Sequence, residues 1–317
     1  MMMKARNGIS KQTQWSRHWL AAVMFGVMTA ISPLVSTASP IVTIIDDDAG
    51  SIKAIEAVKN VADRCGVKVT FAVCAAYLEQ KPNIAAKLHE YVADGHEVAS
   101  HALTHSPTVW KKGAATDIRA IEREIVEARD KFRGLGFDPE TFVYPFGNFP
   151  KKVRARIFAA VKVYYPVAFN ARGDINLPGK MYPLYVSRHP LRKHNSMFMT
   201  KRLIDEAVAA DRAWVVILTH SANPDFSAER LEETIRYAQK SGAVFLTASA
   251  AWQQVKTWPM ADEDSLPDYS LTGDLLNAAY FHLPLLLVCG AVAVLFFGVL
   301  LYLCFFRRRA QEKPAED

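Results

Sequence analysis

Cysteine is scarce in this chain, with four residues in 317. Cys289 and Cys304 lie in an apolar C-terminal run. Cys65 and Cys74 flank a stretch that reads as extended, which would hold their Cα atoms about 26 Å apart, against the ~7 Å that a disulfide tolerates. A bridge between them is excluded, and both read as buried small hydrophobes. Acids are absent from residues 1–39, where Lys4, Arg6, Lys11 and Arg17 stand, and charge of either sign is absent from residues 283–306. The net charge of +6 comes mostly from the two ends. The stretch between them is close to neutral, which argues against nucleic acid as a partner. No internal repeat is visible.

What the ends do contain is informative. The basic residues precede an apolar run from Trp19 to Ile31, and Ser36 and Ala38 sit at −3 and −1 of a cleavage site before Ser39. Residues 1–38 are expected to be a signal peptide. The run is short for a membrane span, which needs about 20 residues; an uncleaved anchor is the alternative. Residues 283–306 are long and apolar enough for a transmembrane helix, and Arg307, Arg308 and Arg309 follow at once. Positive flanks stay inside, so a cytoplasmic tail at 307–317 and an extracytoplasmic domain are expected on a single-pass cell-membrane protein. Residues 257–282, with Asp262, Glu263, Asp264 and two prolines, read as a linker.

Between these ends, residues 40–256 alternate strand and helix patterns. Strands are predicted at 41–45, 67–74, 97–100, 141–144, 161–169, 214–219 and 243–247. Helices are predicted at 51–64, 83–93, 116–133, 151–160, 200–211, 227–240 and 248–256. Residues 170–199 read as irregular. Alternation of this kind implies an α/β domain with a parallel sheet, and a distorted (β/α) barrel of about seven parallel strands fits better than an open sheet.

Four strand ends carry residues with chemistry. The first strand runs into Asp46-Asp47-Asp48, three carboxylates whose mutual repulsion a bound cation would relieve; the bland alternative is a polar turn in which Asp48 caps the next helix. The third delivers His101 and His105, four residues apart, so one helical turn would put both imidazoles on one face, a spacing suited to a divalent metal. A His-Glu-x-x-His zinc protease is excluded, because Ala102 stands where the glutamate belongs. The fourth ends in Tyr144-Pro145-Phe146-Gly147, a turn that can expose a backbone N–H. The buried strand Trp214–Thr219 ends in His220. In a parallel α/β domain all four ends lie on one face.

These motifs resemble those of the polysaccharide deacetylase family, the carbohydrate esterases with a NodB-type domain, over about residues 40–256. The family's Thr-Phe-Asp-Asp-Gly aligns with Ile44 to Asp48, its His-(Ser/Thr)-x-x-His with His101 to His105, its Pro-Tyr-Gly with Pro145-Phe146-Gly147, and its Leu-x-His with Leu218-Thr219-His220. The resemblance implies a distorted (β/α) barrel. It implies that Asp46 is the general base and that Asp47, His101 and His105 hold a divalent metal, zinc being the expected ion. It further implies that the Phe146 N–H helps form an oxyanion hole and that His220 is the general acid. Val143 stands where the family often has an arginine that orients the base; Arg188 is the candidate to supply that charge. Asp48 replaces the motif's glycine, so a rival register shifts base and ligand to Asp47 and Asp48 and leaves Asp46 in the place of the family's Phe.

The implied function is removal of acetyl groups, N-acetyl first, from a cell-surface or extracellular polysaccharide. An O-acetyl esterase of the same fold and an inactive membrane-tethered glycan-binding protein are the alternatives. Trp110, Tyr144 and Phe149 are candidate stacking surfaces for sugar rings, core packing being the commoner fate of such residues.

Overall fold

Strand β1 (Ile41–Asp47) is buried from end to end and lies at the centre of the sheet. The computed structural model describes residues 39–112, 117–194, 196–267 and 297. The expected signal peptide (1–38), membrane span (283–306) and tail (307–317) lie outside the described residues, Phe297 excepted. Among the described residues no helix is long and apolar enough to cross a membrane.

Parallel strands flank β1 on both sides. β2 (Thr70–Val73), β3 (Glu97–Ser100), β4 (Thr141–Val143) and β5 (Val167–Phe169) follow in order on one side. β7 (Trp214–Thr219) and then β6 (His189–Pro190) lie on the other. These seven strands form one hydrogen-bonded path, and β8 (Val244–Phe245) pairs only with Ile41 and Val42 at the start of β1. The count of seven matches the expectation, but the membership differs: β6 is a two-residue strand inside the stretch read as irregular, too short to show a period of two. The path curls, and its ends are joined near β6. Val186 donates to the Ala168 carbonyl and accepts from the Asn170 amide, both at 2.9 Å, while three residues later His189 pairs with Ile217 of β7.

Helices cover the outside: α1 (Ile52–Cys65), α2 (Ala75–Gln80), α3 (Pro82–Ala93), α4 (Ile118–Gly134), α5 (Lys151–Val161), α6 (Met197–Ala209), α7 (Ala228–Lys240) and α8 (Ala248–Val255). Ser51 caps α1 by accepting from the Ala54 amide, and Gly66 ends it with φ 67°. Asp48, weighed as that cap, does not serve it. Strand alternation divides the core. On β1, Val42 and Ile44 pack outward against the helical layer, with Ile55, Val58, Ile204 and Ile235. Ile41 and Ile45 point into the barrel beside Val143, Phe169, Trp214 and Trp252. Burying a Val or Ile side chain is worth roughly 1.5–3 kcal/mol, so a slip of one residue would forfeit several such gains at once. A separate cluster between α4, α5 and β4 contains Trp110, Tyr144 and Phe149. All three are buried, so none offers a face to a sugar ring.

The segment read as a linker begins as part of the domain. The Ala261 amide bonds to the Met181 carbonyl at 2.8 Å, and buried Arg154 donates to the carbonyls of Leu266 and Pro267.

Candidate active site and metal centre

The three consecutive aspartates go to three different places. Asp46 follows Ile44 on the outward face of β1; Asp47 follows Ile45 into the barrel; Asp48 lies past the strand end with φ 66°. That left-handed conformation is uncommon for a residue with a side chain and turns the chain out of the pleat. Gly50 lets the loop pass against the segment after β7, since a Cβ there would stand 2.5 Å from the Ala222 Cβ.

Asp48, His101 and His105 converge, with one donor atom from each within 4.8 Å of the others. The His101 Nε2 lies 3.6 Å from an Asp48 oxygen, and the two imidazole centroids are 5.0 Å apart. The histidines meet in a loop and not on the expected helical turn. Ala102 takes φ 63°, and the carbonyls of Ala102 and Leu103 accept from the first two amides of α2, Ala75 and Ala76. The loop thereby satisfies helix N–H groups that have no partner within the helix. Glu124 of α4 secures the same loop from behind, accepting from the Thr104 amide at 2.7 Å and from the Thr104 hydroxyl.

His101 is oriented for ligation. Its Nδ1 lies 2.8 Å from the Val143 carbonyl, a bond that fixes the proton on Nδ1. The Nε2 lone pair then faces Asp48 and His105, and this buried nitrogen has no hydrogen-bond partner among the described residues. A buried, unpartnered imidazole nitrogen beside a second imidazole and a carboxylate fits a divalent cation. Burial holds the His101 imidazole below the usual histidine range, against the opposite pull of Asp47 and Asp48.

Asp47 does not join this set. Its Oδ1 accepts from the Arg188 guanidinium at 2.7 Å, with both side chains almost fully buried. Burial pushes its carboxyl up, but Arg188, His101 and His220 outweigh that and hold it below the ordinary aspartate range. Arg188 is held in turn by the Asn170 carbonyl at 2.7 Å. Across from Arg188, the His220 Nε2 lies 3.9 Å from Asp47 Oδ2. His220 is partly exposed, and burial lowers its pKa despite the nearby acids. It lines a cleft of about 170 Å³ with Leu191, Arg192, Asn223, Asp225 and Phe226.

Phe146 has φ 61°, and its ring packs 4.2 Å from that of His105, which puts the turn after β4 beside the two histidines. Gly147 is required next to it, because a Cβ there would stand 2.4 Å from the Ala171 Cβ. The three non-glycine residues with positive φ among the described residues are Asp48, Ala102 and Phe146, one at each of three strand ends.

Two expected placements therefore change. Asp46, expected as the base, is fully buried on the outer face. It accepts from the Thr219 hydroxyl, the Ser221 amide and the Ser221 hydroxyl. Burial raises its carboxyl to about 7 against those three bonds. Asp47, expected as a metal ligand, bonds Arg188 instead, and Asp48 stands with the histidines. The reason is that β1 stays regular through Asp47, so adjacent side chains cannot share a site until the chain turns at Asp48. Thr219, Ser221 and Glu124 were not anticipated; no local motif marks them.

Residues 36–162 match the family model for polysaccharide deacetylase, which takes in β1 to α5 and stops short of Arg188 and His220. Over 101 residues the chain is 32% identical to a chitooligosaccharide deacetylase of Sinorhizobium fredii; the match covers 32% of this chain and 43% of that relative, under half its length. Similar solved structures include the Xyl-CE4 domain of a multidomain xylanase from the hindgut metagenome of Trinervitermes trinervoides, with 18% identity, a TM-score of 0.48 and coverage of 74% of this chain and 96% of that one. Another is a family 4 acetyl xylan esterase from Clostridium thermocellum in complex with a cobalt ion, with 19% identity, a TM-score of 0.47 and coverage of 71% and 95%.

Proposed function

We propose that this domain is a metal-dependent deacetylase that removes acetyl groups, N-acetyl foremost, from an oligo- or polysaccharide. The observation that carries the reading is the convergence of Asp48, His101 and His105 within 4.8 Å, with the Asp47–Arg188 pair on one side and His220 close by. The family match over residues 36–162 supports it.

In this reading Asp48, His101 and His105 hold a divalent ion, zinc being the expected one. Such an ion supplies Lewis acidity toward the acetyl carbonyl and the attacking water. Asp47 is the general base. Arg188 occupies its Oδ1 and keeps the carboxylate ionised, leaving Oδ2 to take the proton from the water that attacks the acetyl carbon. The Phe146 backbone N–H donates to the oxygen on which negative charge develops. His220 delivers a proton to the sugar nitrogen as the C–N bond breaks, without which an amine leaves poorly. Asp46, fully buried and saturated by three donors, has no access to water and takes no part in the proton transfers.

The cleft beside His220 is the entry for the sugar chain. The same residues can cleave an acetate ester, so the acetyl linkage is settled by assay. Purified chain loaded with zinc or cobalt is offered N-acetylated and O-acetylated oligosaccharides, and free acetate is measured. Release from the N-acetylated set is expected; release from the O-acetylated set alone makes the enzyme an esterase, and release from neither overturns the reading. We further propose that the domain is extracytoplasmic and held by a span at 283–306, supported by the uncharged run and the Arg307-Arg308-Arg309 flank. Protease added to spheroplasts should then digest the domain, and a protected domain would sink this topology.

A further inference from the structure

Asp46 is a buried carboxylate that the proposed reaction leaves unused. An unpaired buried charge is costly, and a carboxylate persists there only with strong partners. Its partners are not scattered. The Thr219 hydroxyl and the Ser221 amide donate to Oδ1 at 2.7 and 2.8 Å, and the Ser221 hydroxyl donates to Oδ2 at 2.5 Å. They are the two residues on either side of His220.

We propose that Asp46 is a positioning residue: by clamping Thr219 and Ser221 on the outer face of the sheet, it aims His220 into the barrel. The inference rests on the deacetylase reading for what His220 does, but not for how it is held. Asp46 and Thr219 are register partners across β1 and β7. β7 ends at Thr219, so no ladder bond of the strand governs the residues after it. Residues 219 and 221 lie on the same side of an extended chain, and residue 220 on the other. Fixing both neighbours to one carboxylate extends the alternation past the strand end and turns the imidazole toward Asp47, 3.9 Å away. The same alternation on β1 sends Asp47 inward from Asp46. One pair of adjacent acids thus holds the histidine's backbone from outside and faces its ring from inside. An apolar side chain at position 46 could accept none of the three bonds.

The test uses the full chain and four variants: Asp46→Ala, Asp46→Asn, His220→Ala and the Asp46→Ala/His220→Ala double. Substrates are an N-acetylated chito-oligosaccharide, whose amine must be protonated to leave, and an aryl acetate, whose phenolate need not be. Asp46→Ala is expected to lower kcat on the amide by roughly 10- to 100-fold, a fraction of what removing the acid costs. KM should change little and the aryl acetate should lose much less. Asp46→Asn should recover part of the rate, since its amide oxygen still accepts from Ser221. The double variant should be no slower than His220→Ala, as residues acting through one group are non-additive. Equal losses on both substrates, or fully additive losses, overturn the proposal.

A second readout does not need turnover. In the chain labelled at histidine with ¹⁵N, the His220 ring signals, identified by their loss in His220→Ala, should shift or broaden in Asp46→Ala while those of His96 stay. Unchanged His220 signals overturn the clamp. If wild type releases no acetate, the deacetylase reading fails and this spectrum alone decides the clamp. Should Asp46→Ala not fold, Ser221→Ala removes one donor without opening a large cavity and is read in the same two ways, with a smaller expected effect.

Discussion

Strand β3 has a buried histidine at each end, and the two are chemically opposite. His96 precedes the strand and accepts a hydrogen bond at Nδ1 from the Val69 amide, which leaves the proton on Nε2. His101 follows the strand, and its Nδ1 donates to the Val143 carbonyl, which leaves Nε2 a bare lone pair. Neither Nε2 has a hydrogen-bond partner among the described residues. At the His101 end, Asp48 and His105 face that lone pair. At the His96 end an oxygen of Asp63 lies 3.7 Å from the protonated Nε2. Beside His96, Glu97 is saturated: the hydroxyls of Thr70 and Thr141 and the Ser249 amide all donate to it. Burial and backbone partners alone do not make a histidine a ligand. Which backbone group meets Nδ1 decides whether Nε2 offers a proton or an electron pair.

Exchanging the fates of the two histidines is the sharpest way to break this comparison. His101→Ala should leave the chain folded but without metal, and acetate release should fall more than ~10³-fold, because the Lewis acid is lost. Asp48→Ala should do the same. Elemental analysis of the purified variants with a melting curve checks this, and a metal-loaded Asp48→Ala protein would return the ligand to Asp47. His220→Ala, on the reactive end but outside the ligand set, should keep its metal and lose ~10²-fold or more on amides. Glu97→Ala tests the other end. It strands three donors and opens a cavity, so unfolding free energy should fall by about 3 kcal/mol while metal per folded chain stays constant. Chemical denaturation alongside metal analysis measures both.

The smallest effect is the dependence of stability on pH. Burial lowers the His96 pKa to about 4. Between that value and the ordinary 6.5 the unfolded chain binds a proton that the folded chain refuses, so stability is full above pH 6.5 and is lost as pH falls toward 4. The loss should amount to roughly 2–3 kcal/mol. His96→Gln, which cannot take up the proton, should lessen the slope of that part of the melting-temperature profile, the remainder coming from buried His189, whose pKa is likewise lowered to about 4; an unchanged slope would remove His96 as a source.

Much of this is legible in the sequence alone. A run of apolar residues ending in acids, an apolar strand ending in His220 and a turn with Gly147 are local patterns, and local patterns follow from propensity and period. The order of elements followed as well, apart from β6 and the six-residue helix α2, both too short to show a period, since helix and strand periods are properties of neighbours in sequence. The His101/His105 pair was also visible, although the loop that joins them is held by the start of α2 and by Glu124 and not by a helical turn. Trp110, Tyr144 and Phe149 could not be judged from type alone, because an aromatic side chain serves a core as readily as a cleft.

The sequence by itself determined that acids and histidines would meet at one end of a parallel barrel, because every strand of such a sheet points the same way. It could not determine which aspartate does what. Alternation guarantees that Asp46 and Asp47 part company, but the face that becomes the interior is chosen only when Ile44 packs under the helices and Ile45 enters the barrel. The same choice brings Arg188, 141 residues away, onto Asp47, and sets Thr219 and Ser221 on Asp46. Contacts at that separation depend on how the sheet curls and closes, which is a property of the whole chain's packing and of no segment within it.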